Sequence, residues 1–199
     1  MSEVKLTVPL TESDVRALHV GDRVSLSGTI VTARDRAHRF LVEEASVDEL
    51  PFDLVGGVIY HCGPMTRKRK DGGYDLIAAG PTTSARMNLY VPRLLERFGI
   101  RAIIGKGGMD DAALAAFETS GAVYLSAVGG AAQVLARTVQ EVVDGFKVDT
   151  FGAPEGMWIL RVKSFPATVT MDTHGRSLHQ EVRDASEAHV SHLCRDSGT

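Results

Sequence analysis

The sequence predicts an α/β fold in one domain spanning residues 1–199, on three observations. Residues 80–144 repeat the order strand, glycine-bearing loop, helix, with strands expected at 101–104 and 123–127. This order is typical of parallel strands joined by crossover helices. The chain shows no internal repeat and no composition shift that would mark a domain boundary. Its 199 residues are within the range of a single domain, which at this size buries about 70% of the unfolded surface.

Shorter elements are expected before the repeat. Thr11-Glu-Ser-Asp14 resembles a helix cap, and alternation of apolar and polar residues favours a strand soon after it. A short charged helix would then place Arg34 and His38 four positions apart on one face. The expected elements are a helix after the cap, a strand at 24–32, a helix at 34–39, a buried strand at 57–62, a hairpin turn at 70–73 and a strand at 74–79.

The elements from residue 80 onward are predicted as follows. A helix follows Ser84, with a kink or restart at Pro92, because proline cannot donate a helical hydrogen bond. Residues after about 180 are polar and are expected to form a flexible tail. The remaining elements are a helix at 110–119, a helix from the VGGAA loop to Val143, strands at 158–162 and 167–171, and a turn at 172–175.

Composition and cysteine content limit the classes of partner. The net charge of −3 and the 24% charged residues give no basic excess that would favour nucleic acid. No basic leader and no apolar run of membrane-spanning length is present, so we expect a cytoplasmic protein without a membrane partner. Cys62 and Cys194 are far apart and lack metal-ligand spacing, so no metal site is expected in this chain.

Three glycine-bearing loops carry the candidate site. They are GPTTSARM at 80–87, GKGGM at 105–109 and VGGAA at 128–132. In doubly wound sheets such loops lie beyond the carboxyl ends of the strands, where backbone amides and helix starts attract anions. Arg34, Arg86 and Lys106 add full positive charges. The pattern indicates a pocket for a small anion, either a dicarboxylate or a phosphate.

Each candidate has an alternative interpretation. Taken alone, the hydroxyl groups of Thr82, Thr83 and Ser84 are more typical of helix capping than of catalysis. Lys106 is either a ligand contact or a solvated lysine, and GKGG lacks the further glycine and the Ser or Thr of a Walker loop.

The histidines have alternatives of their own. His38 is either a general acid or base, or a surface histidine that pairs with Asp35 or a helix end, and the residues alone favour the surface position. His61, in an apolar strand, is more typical of a hydrogen-bonded core histidine.

Six motifs follow one another along the chain. They are GTIVTARDRAH at 28–38, IYHCGP at 59–64, GPTTSARM at 80–87, GKGGM at 105–109, YLSAVGGAA at 124–132 and MDTHG at 171–175. This ordered set resembles the β subunit of iron-sulfur-dependent hydro-lyases, the class I fumarate hydratases and the L(+)-tartrate dehydratases. The resemblance covers about residues 5–180, and the pair GPTTSARM and GKGGM is its most specific part.

The resemblance implies a fold, a cofactor and a partner. The fold would be a three-layer swivelling β/β/α domain with a mixed sheet. The cofactor would be a 4Fe-4S cluster ligated by three cysteines of an α subunit and by no residue of this chain. The chain would therefore be active only in a hetero-oligomer of α and β subunits. Cys62, where relatives commonly have a small apolar residue, would be a buried space-filling side chain.

The resemblance also implies a reaction, the reversible hydration of fumarate to (S)-malate. The alternatives are conversion of L(+)-tartrate to oxaloacetate and water, or an anion-binding module without activity. In the enzyme, the open iron would polarise the C2 hydroxyl while a group of this chain moves the C3 proton. The implied catalytic residues are Thr82 as the base, Lys106 and His38, and the implied substrate-binding residues are Arg34, Arg86, Thr83 and Gly107.

Overall fold

The computed structural model describes residues 3–196, with side chains described to residue 189. Within this range, nine strands form a mixed sheet of seven strands and a separate two-stranded hairpin. The strands are β1 (Val4–Thr7), β2 (Arg23–Thr32), β3 (Val58–Tyr60), β4 (Met65–Lys68), β5 (Tyr74–Ala78), β6 (Ala102–Gly105), β7 (Val123–Ser126), β8 (Val139–Phe146) and β9 (Met157–Met171). The fold is therefore mixed α/β.

The pairing of five strands closes into a ring. Strands β2, β3, β6 and β7 are parallel neighbours in that order. The long strand β9 runs antiparallel to both β7 and β2, so the last parallel strand is joined back to the first. Strand β1 extends β2 in parallel, and β8 extends β9 in the antiparallel direction. The carboxyl ends of the parallel strands consequently lie at one rim of the sheet.

Helices connect the strands, and their ends follow ordinary capping chemistry. Thr11 and Asp14 form a reciprocal capping box at the first helix. Asp110 caps the fourth by accepting a hydrogen bond from the Ala113 amide at 3.0 Å. The helices are α1 (Glu12–Arg16), α2 (Asp35–Glu43), α3 (Val91–Phe98), α4 (Asp111–Ser120), α5 (Ala132–Ala136), α6 (Val148–Phe151) and α7 (Leu178–Asp196), with 3-10 turns at Val47–Glu49 and Ser84–Met87.

Two apolar layers cover opposite faces of the parallel strands. Ile59 and Ile103 belong to a cluster that includes side chains of α2, α3 and α4. Val58 and Ile104, one position away in the same strands, belong to a second cluster with side chains of β1, β2 and β9. Because side chains alternate along a strand, each parallel strand contributes to both layers, and both of its faces are buried. The fully buried Trp158 lies in the second layer.

Most of the predicted elements are present, and one predicted helix is wrong. The helix expected to reach Val143 ends at Ala136, and the following residues form β8, which pairs with β9. The valines of 139–143 match helical spacing, but pairing with a neighbouring strand decides the local structure. The expected strands at 158–162 and 167–171 are one continuous strand.

Two other predictions concern the ends of helices. At Pro92 the chain restarts, since a short 3-10 turn ends before it and α3 begins at Val91 with the proline in its first turn. Residues 181–196, in the segment expected to be a flexible tail, lie in α7, and the side chains from 181 to 189 are exposed. A run of mostly polar residues gives no apolar stripe, so the sequence alone does not indicate this helix.

Candidate functional site

The backbone of residues 81–84 crosses the carboxyl ends of β3 and β6. The Thr82 amide donates to the carbonyl of His61 at 2.7 Å. The Ser84 amide donates to the carbonyl of Lys106 at 3.0 Å, and the Lys106 amide donates to the carbonyl of Thr82 at 3.3 Å. These bonds fix the loop that begins with Gly80-Pro81 against the loop that contains Lys106.

Arg34 lies directly after β2, where it begins α2. Its side chain is 23% exposed, and its Nε is 3.3 Å from Oε1 of Glu155. This Nε is buried and lacks a hydrogen bond of good geometry within the described chain. A side chain at Gly63 would begin 2.7 Å from Nη1 of Arg34, so the glycine of the CGP motif leaves the space that the guanidinium occupies.

Arg86 forms a two-pronged ion pair with Asp35. Its Nε donates to Oδ1 of Asp35 at 3.1 Å, and its Nη2 donates to Oδ2. Partial burial opposes ionisation of Asp35, but the hydrogen bond from Arg86 and the charges of Arg86 and Arg34 outweigh it and lower the pKa of Asp35. Asp35 therefore connects the two arginines electrostatically.

Lys106 lies beside Thr83, with which it forms an isolated β-bridge. Its side chain passes Gly129, where an added Cβ would be 3.6 Å from Cδ of Lys106. Among the described residues, the Lys106 ammonium makes no ion pair with a carboxylate. The next residue, Gly107, has a φ of 81°, a left-handed conformation that favours glycine. The loop therefore places Lys106 beside Thr83, with no carboxylate partner for its ammonium among the described residues.

The structure brings six of the predicted site residues together and places the seventh beneath them. Thr82 is half-buried and Thr83 is exposed at the same rim as Lys106. Arg86 lies in the 3-10 turn Ser84–Met87 that follows them, and its partner Asp35 is adjacent in sequence to Arg34. The residues at this rim are Arg34, Thr82, Thr83, Arg86, Lys106 and Gly107.

His38 is fully buried, so the surface position favoured by the residues alone is wrong. Its Nδ1 is 2.9 Å from the carbonyl oxygen of Arg34, and its Nε2 is 3.2 Å from Nε2 of His61. Burial lowers the pKa of His38 to about 4, against the opposite effects of the Arg34 carbonyl and the Asp35 charge. Burial and the neighbouring His38 hold the pKa of His61 well below its usual value. Both imidazoles are therefore neutral at pH 7.

Four residues that the sequence analysis did not assign to the site contact it in the structure. Asp35 and Glu155 pair with the arginines, while Ser84 and Tyr124 extend the buried histidine pair. Two of them had a signal in the sequence. Asp35 is the neighbour of Arg34 in the motif GTIVTARDRAH, and Tyr124 carries a hydroxyl group in an otherwise apolar strand. Glu155 gives no signal, because its contact with Arg34 depends on how the chain returns from β8 to β9.

Cys62 is buried and free, as expected for a space-filling side chain, and burial raises the pKa of its thiol to about 12. Within the described residues, no cluster of three or more His, Cys, Asp or Glu side chains could hold a metal ion. None of the described helices combines the length and the apolar character needed to cross a membrane.

The fold and the site define a mixed α/β protein with cationic, glycine-bearing loops at the carboxyl ends of parallel strands. The family described as fumarase C-terminus matches residues 1–182, and the chain belongs to this family.

Relatives of two lengths match the chain. It is 47% identical over 183 residues to a putative fumarate hydratase class I of Geobacillus stearothermophilus, covering 92% of this chain but only 35% of that relative. It is 46% identical to a putative L(+)-tartrate dehydratase subunit beta of Methanocaldococcus jannaschii, covering 87% of this chain and 89% of the relative. It is 38% identical to the L(+)-tartrate dehydratase subunit beta of Escherichia coli, covering 88% and 86%. The chain thus spans about a third of the first relative and most of the other two.

Proposed function

We propose that this chain is the β subunit of a two-subunit hydro-lyase that interconverts fumarate and (S)-malate. The observation that carries the proposal is the grouping of two arginines, a lysine and a pair of threonines in the loops at one rim of the sheet. A dicarboxylate needs two cationic contacts, and proton removal beside a carboxylate needs a third group to stabilise the developing charge. The 47% identity to a putative class I fumarate hydratase agrees with this assignment.

The roles of the residues follow from this placement. Arg34 and Arg86 would bind the two substrate carboxylates, with Thr83 and the Gly107 backbone beside them. Thr82 would move the C3 proton, because it is half-buried at the rim and its amide is fixed to the His61 carbonyl at 2.7 Å. Lys106 would stabilise the negative charge that develops when the proton leaves. A threonine hydroxyl is a weak base, so the positive field of the three cations would have to lower its pKa.

The chain does not supply the ligands of a 4Fe-4S cluster. It has two cysteines, and the thiol of Cys62 is buried with a raised pKa. A cubane cluster is held by thiolates. We therefore propose that the cluster is bound by an α subunit and that the two subunits assemble as αβ pairs. The enzyme would act on small dicarboxylates in the cytoplasm. The two apolar layers support the description of the chain as a three-layer swivelling β/β/α domain.

L(+)-tartrate dehydration is the second candidate activity. It is favoured by the two relatives of comparable length, both of which are named as β subunits of L(+)-tartrate dehydratases. The two substrates differ by one hydroxyl group, which a few side chains can discriminate. Steady-state rates with (S)-malate, L(+)-tartrate and mesaconate separate these activities.

The proposal is tested by co-expressing the chain with its α partner and reconstituting the cluster without oxygen. We expect hydration of fumarate, and we expect Arg86→Ala and Lys106→Ala each to lower kcat/KM by at least a hundredfold in an intact complex. The exposed Arg93 of α3 is the matched control, and Arg93→Ala should retain the normal rate. A chain that never associates with the α subunit, and binds dicarboxylate tightly as a monomer, would be the anion-binding module instead.

A further inference from the structure

A chain of buried hydrogen bonds runs beneath the rim and connects the loops of the candidate site. It begins at Tyr124 in β7. The Tyr124 hydroxyl donates to Ser84 Oγ at 2.8 Å, and this oxygen is 2.8 Å from Nδ1 of His61. The bonds from His61 to His38 at 3.2 Å and from His38 to the Arg34 carbonyl at 2.9 Å complete the chain.

Chemistry fixes the direction of every bond in this chain. A carbonyl oxygen only accepts, so Nδ1 of His38 carries the proton, and Nε2 of a neutral His38 must accept. His61 therefore donates from Nε2, which leaves its Nδ1 to accept from the Ser84 hydroxyl. Ser84 in turn accepts from Tyr124. Each group donates once toward Arg34, and this arrangement is consistent only while both imidazoles are neutral.

Gly105, at the end of β6, leaves the space that the side chains of these buried hydrogen bonds occupy. A Cβ added there would lie 1.9 Å from Oγ of Ser84, 2.9 Å from the Tyr124 hydroxyl and 3.3 Å from Nδ1 of His61. Contacts this short do not occur, so any side chain at residue 105 would displace the serine. The first glycine of the GKGGM motif therefore serves the buried hydrogen bonds.

We infer that Tyr124, Ser84, His61 and His38 are positioning residues that hold the three cationic loops of the site in one arrangement. The hydrogen-bond chain ends on the backbone of Arg34 and passes through Ser84, which follows Thr83 and whose amide donates to the Lys106 carbonyl at 3.0 Å. His61 also holds the Thr82 amide through its carbonyl oxygen. The inference rests on the proposed function for the identity of the ligand, but the hydrogen bonds exist without it.

The hydrogen-bond chain does not transfer a proton to the substrate. Its last acceptor is a backbone carbonyl, which cannot pass a proton on, and both nitrogens of His38 are already in use. Neither histidine is exposed. His38 therefore acts through the position of Arg34, whereas Thr82 and Lys106 remain the residues that would touch substrate.

Nitrogen NMR of the histidines in the full chain tests the hydrogen-bond directions directly. At neutral pH we expect His38 to be protonated on Nδ1 alone and His61 on Nε2 alone. The opposite tautomers, or a charged imidazole at either position, would overturn the inference. This measurement needs neither substrate nor α subunit, so it is independent of the proposed reaction.

A matched pair of variants tests the positioning role. Tyr124→Phe removes the hydroxyl that donates to Ser84, while Tyr60→Phe removes a buried hydroxyl that donates to the Ala79 carbonyl at 2.6 Å. We expect faster hydrogen exchange at the Ser84 and Lys106 amides in Tyr124→Phe alone. In the reconstituted complex we expect kcat/KM to fall about tenfold in Tyr124→Phe and to stay near normal in Tyr60→Phe.

Equal exchange rates in the two variants would refute the positioning role. A wild-type complex that hydrates no diacid would refute the proposed reaction, while the tautomers and exchange rates would still decide the inference.

Discussion

Asp35 and Glu155 are the two carboxylates that contact the arginines of the candidate site. Glu155 pairs with Arg34, and Asp35 pairs with Arg86. The charges of both arginines lower the pKa of Asp35. Arg34 and Lys106 follow the parallel strands β2 and β6, and Arg86 lies in the 3-10 turn after Thr83. Their roles as substrate contacts stay a prediction. The carboxylates that pair with them depend on side-chain geometry, which motif spacing does not encode.

Thr82 and Thr83 are adjacent but should differ in function. We predict that Thr82→Ala lowers kcat by about two to four orders of magnitude with little change in KM, because general acid–base groups contribute on that scale. Thr83→Ala should instead raise KM, since an exposed threonine beside the cations would contribute only to binding. Steady-state kinetics of the reconstituted complex measures both, and equal losses of kcat would contradict the assignment of Thr82 as the base.

Gly105 should be the least replaceable glycine of the GKGGM motif. We predict that Gly105→Ala lowers the free energy of unfolding by about 1–3 kcal/mol, because the added methyl group overlaps Ser84 Oγ. Gly129→Ala is the control, since its Cβ would meet only the Lys106 Cδ at an ordinary 3.6 Å. Urea denaturation of the two variants gives the comparison. Similar stabilities would show that the serine moves aside without cost.

At the scale of elements, the loop after β6 is held at both ends. Gly105 begins it in the strand, and Asp110 ends it by capping α4. The start of α7 also packs here, because a side chain at Gly108 would collide with the ring of His179 at 2.5 Å. The loop was predicted from its glycines, whereas α7 was not predicted because polar residues without an apolar stripe carry little helical signal.

The cap at Asp110 is the second support of this loop. We predict that Asp110→Ala destabilises the chain by about 1 kcal/mol, because the Ala113 amide loses its acceptor. Asp110→Asn should stay close to the parent, since an amide oxygen can accept the same bond. Thermal unfolding of the two variants distinguishes them, and an unchanged midpoint for Asp110→Ala would show that another group replaces the cap.

At the scale of the whole molecule, stability should depend on pH through the buried histidines. Both have pKa values below those of the unfolded chain, so the unfolded state takes up protons first as the pH falls. The stability is fully present above about pH 6.5 and declines toward pH 4. For His38 alone, a shift from 6.5 to about 4 corresponds to about 3 kcal/mol. The negative charge of Asp35 partly opposes this effect, because it raises the pKa of His38.

Urea denaturation between about pH 7.5 and pH 4.5 measures this loss, in a range where most carboxylates remain ionised. His38→Gln should flatten the pH dependence, while His19→Gln, which alters an exposed histidine, should leave it unchanged. A stability that is constant over this range would contradict neutral burial of the pair.

The fold class, the parallel strands and the cationic loops could be predicted because each depends on local periodicity or on a short motif. The ring closure could not, since it depends on β9 meeting both β2 and β7 across the length of the chain. The same limit explains β8: the valines near residue 140 fit a helix as well as a strand until β9 lies beside them. The burial of His38 likewise required the position of α2 on the sheet.

The two arginine–carboxylate pairs have a consequence for how a substrate is chosen. A dicarboxylate that bound both arginines would compete with Glu155 and Asp35, the present partners of Arg34 and Arg86. Binding is then an exchange of one anion for another, with little net gain in charge neutralisation. Added salt should weaken the old and the new pairs alike, so discrimination between diacids would depend on the spacing of their carboxylates more than on their charge.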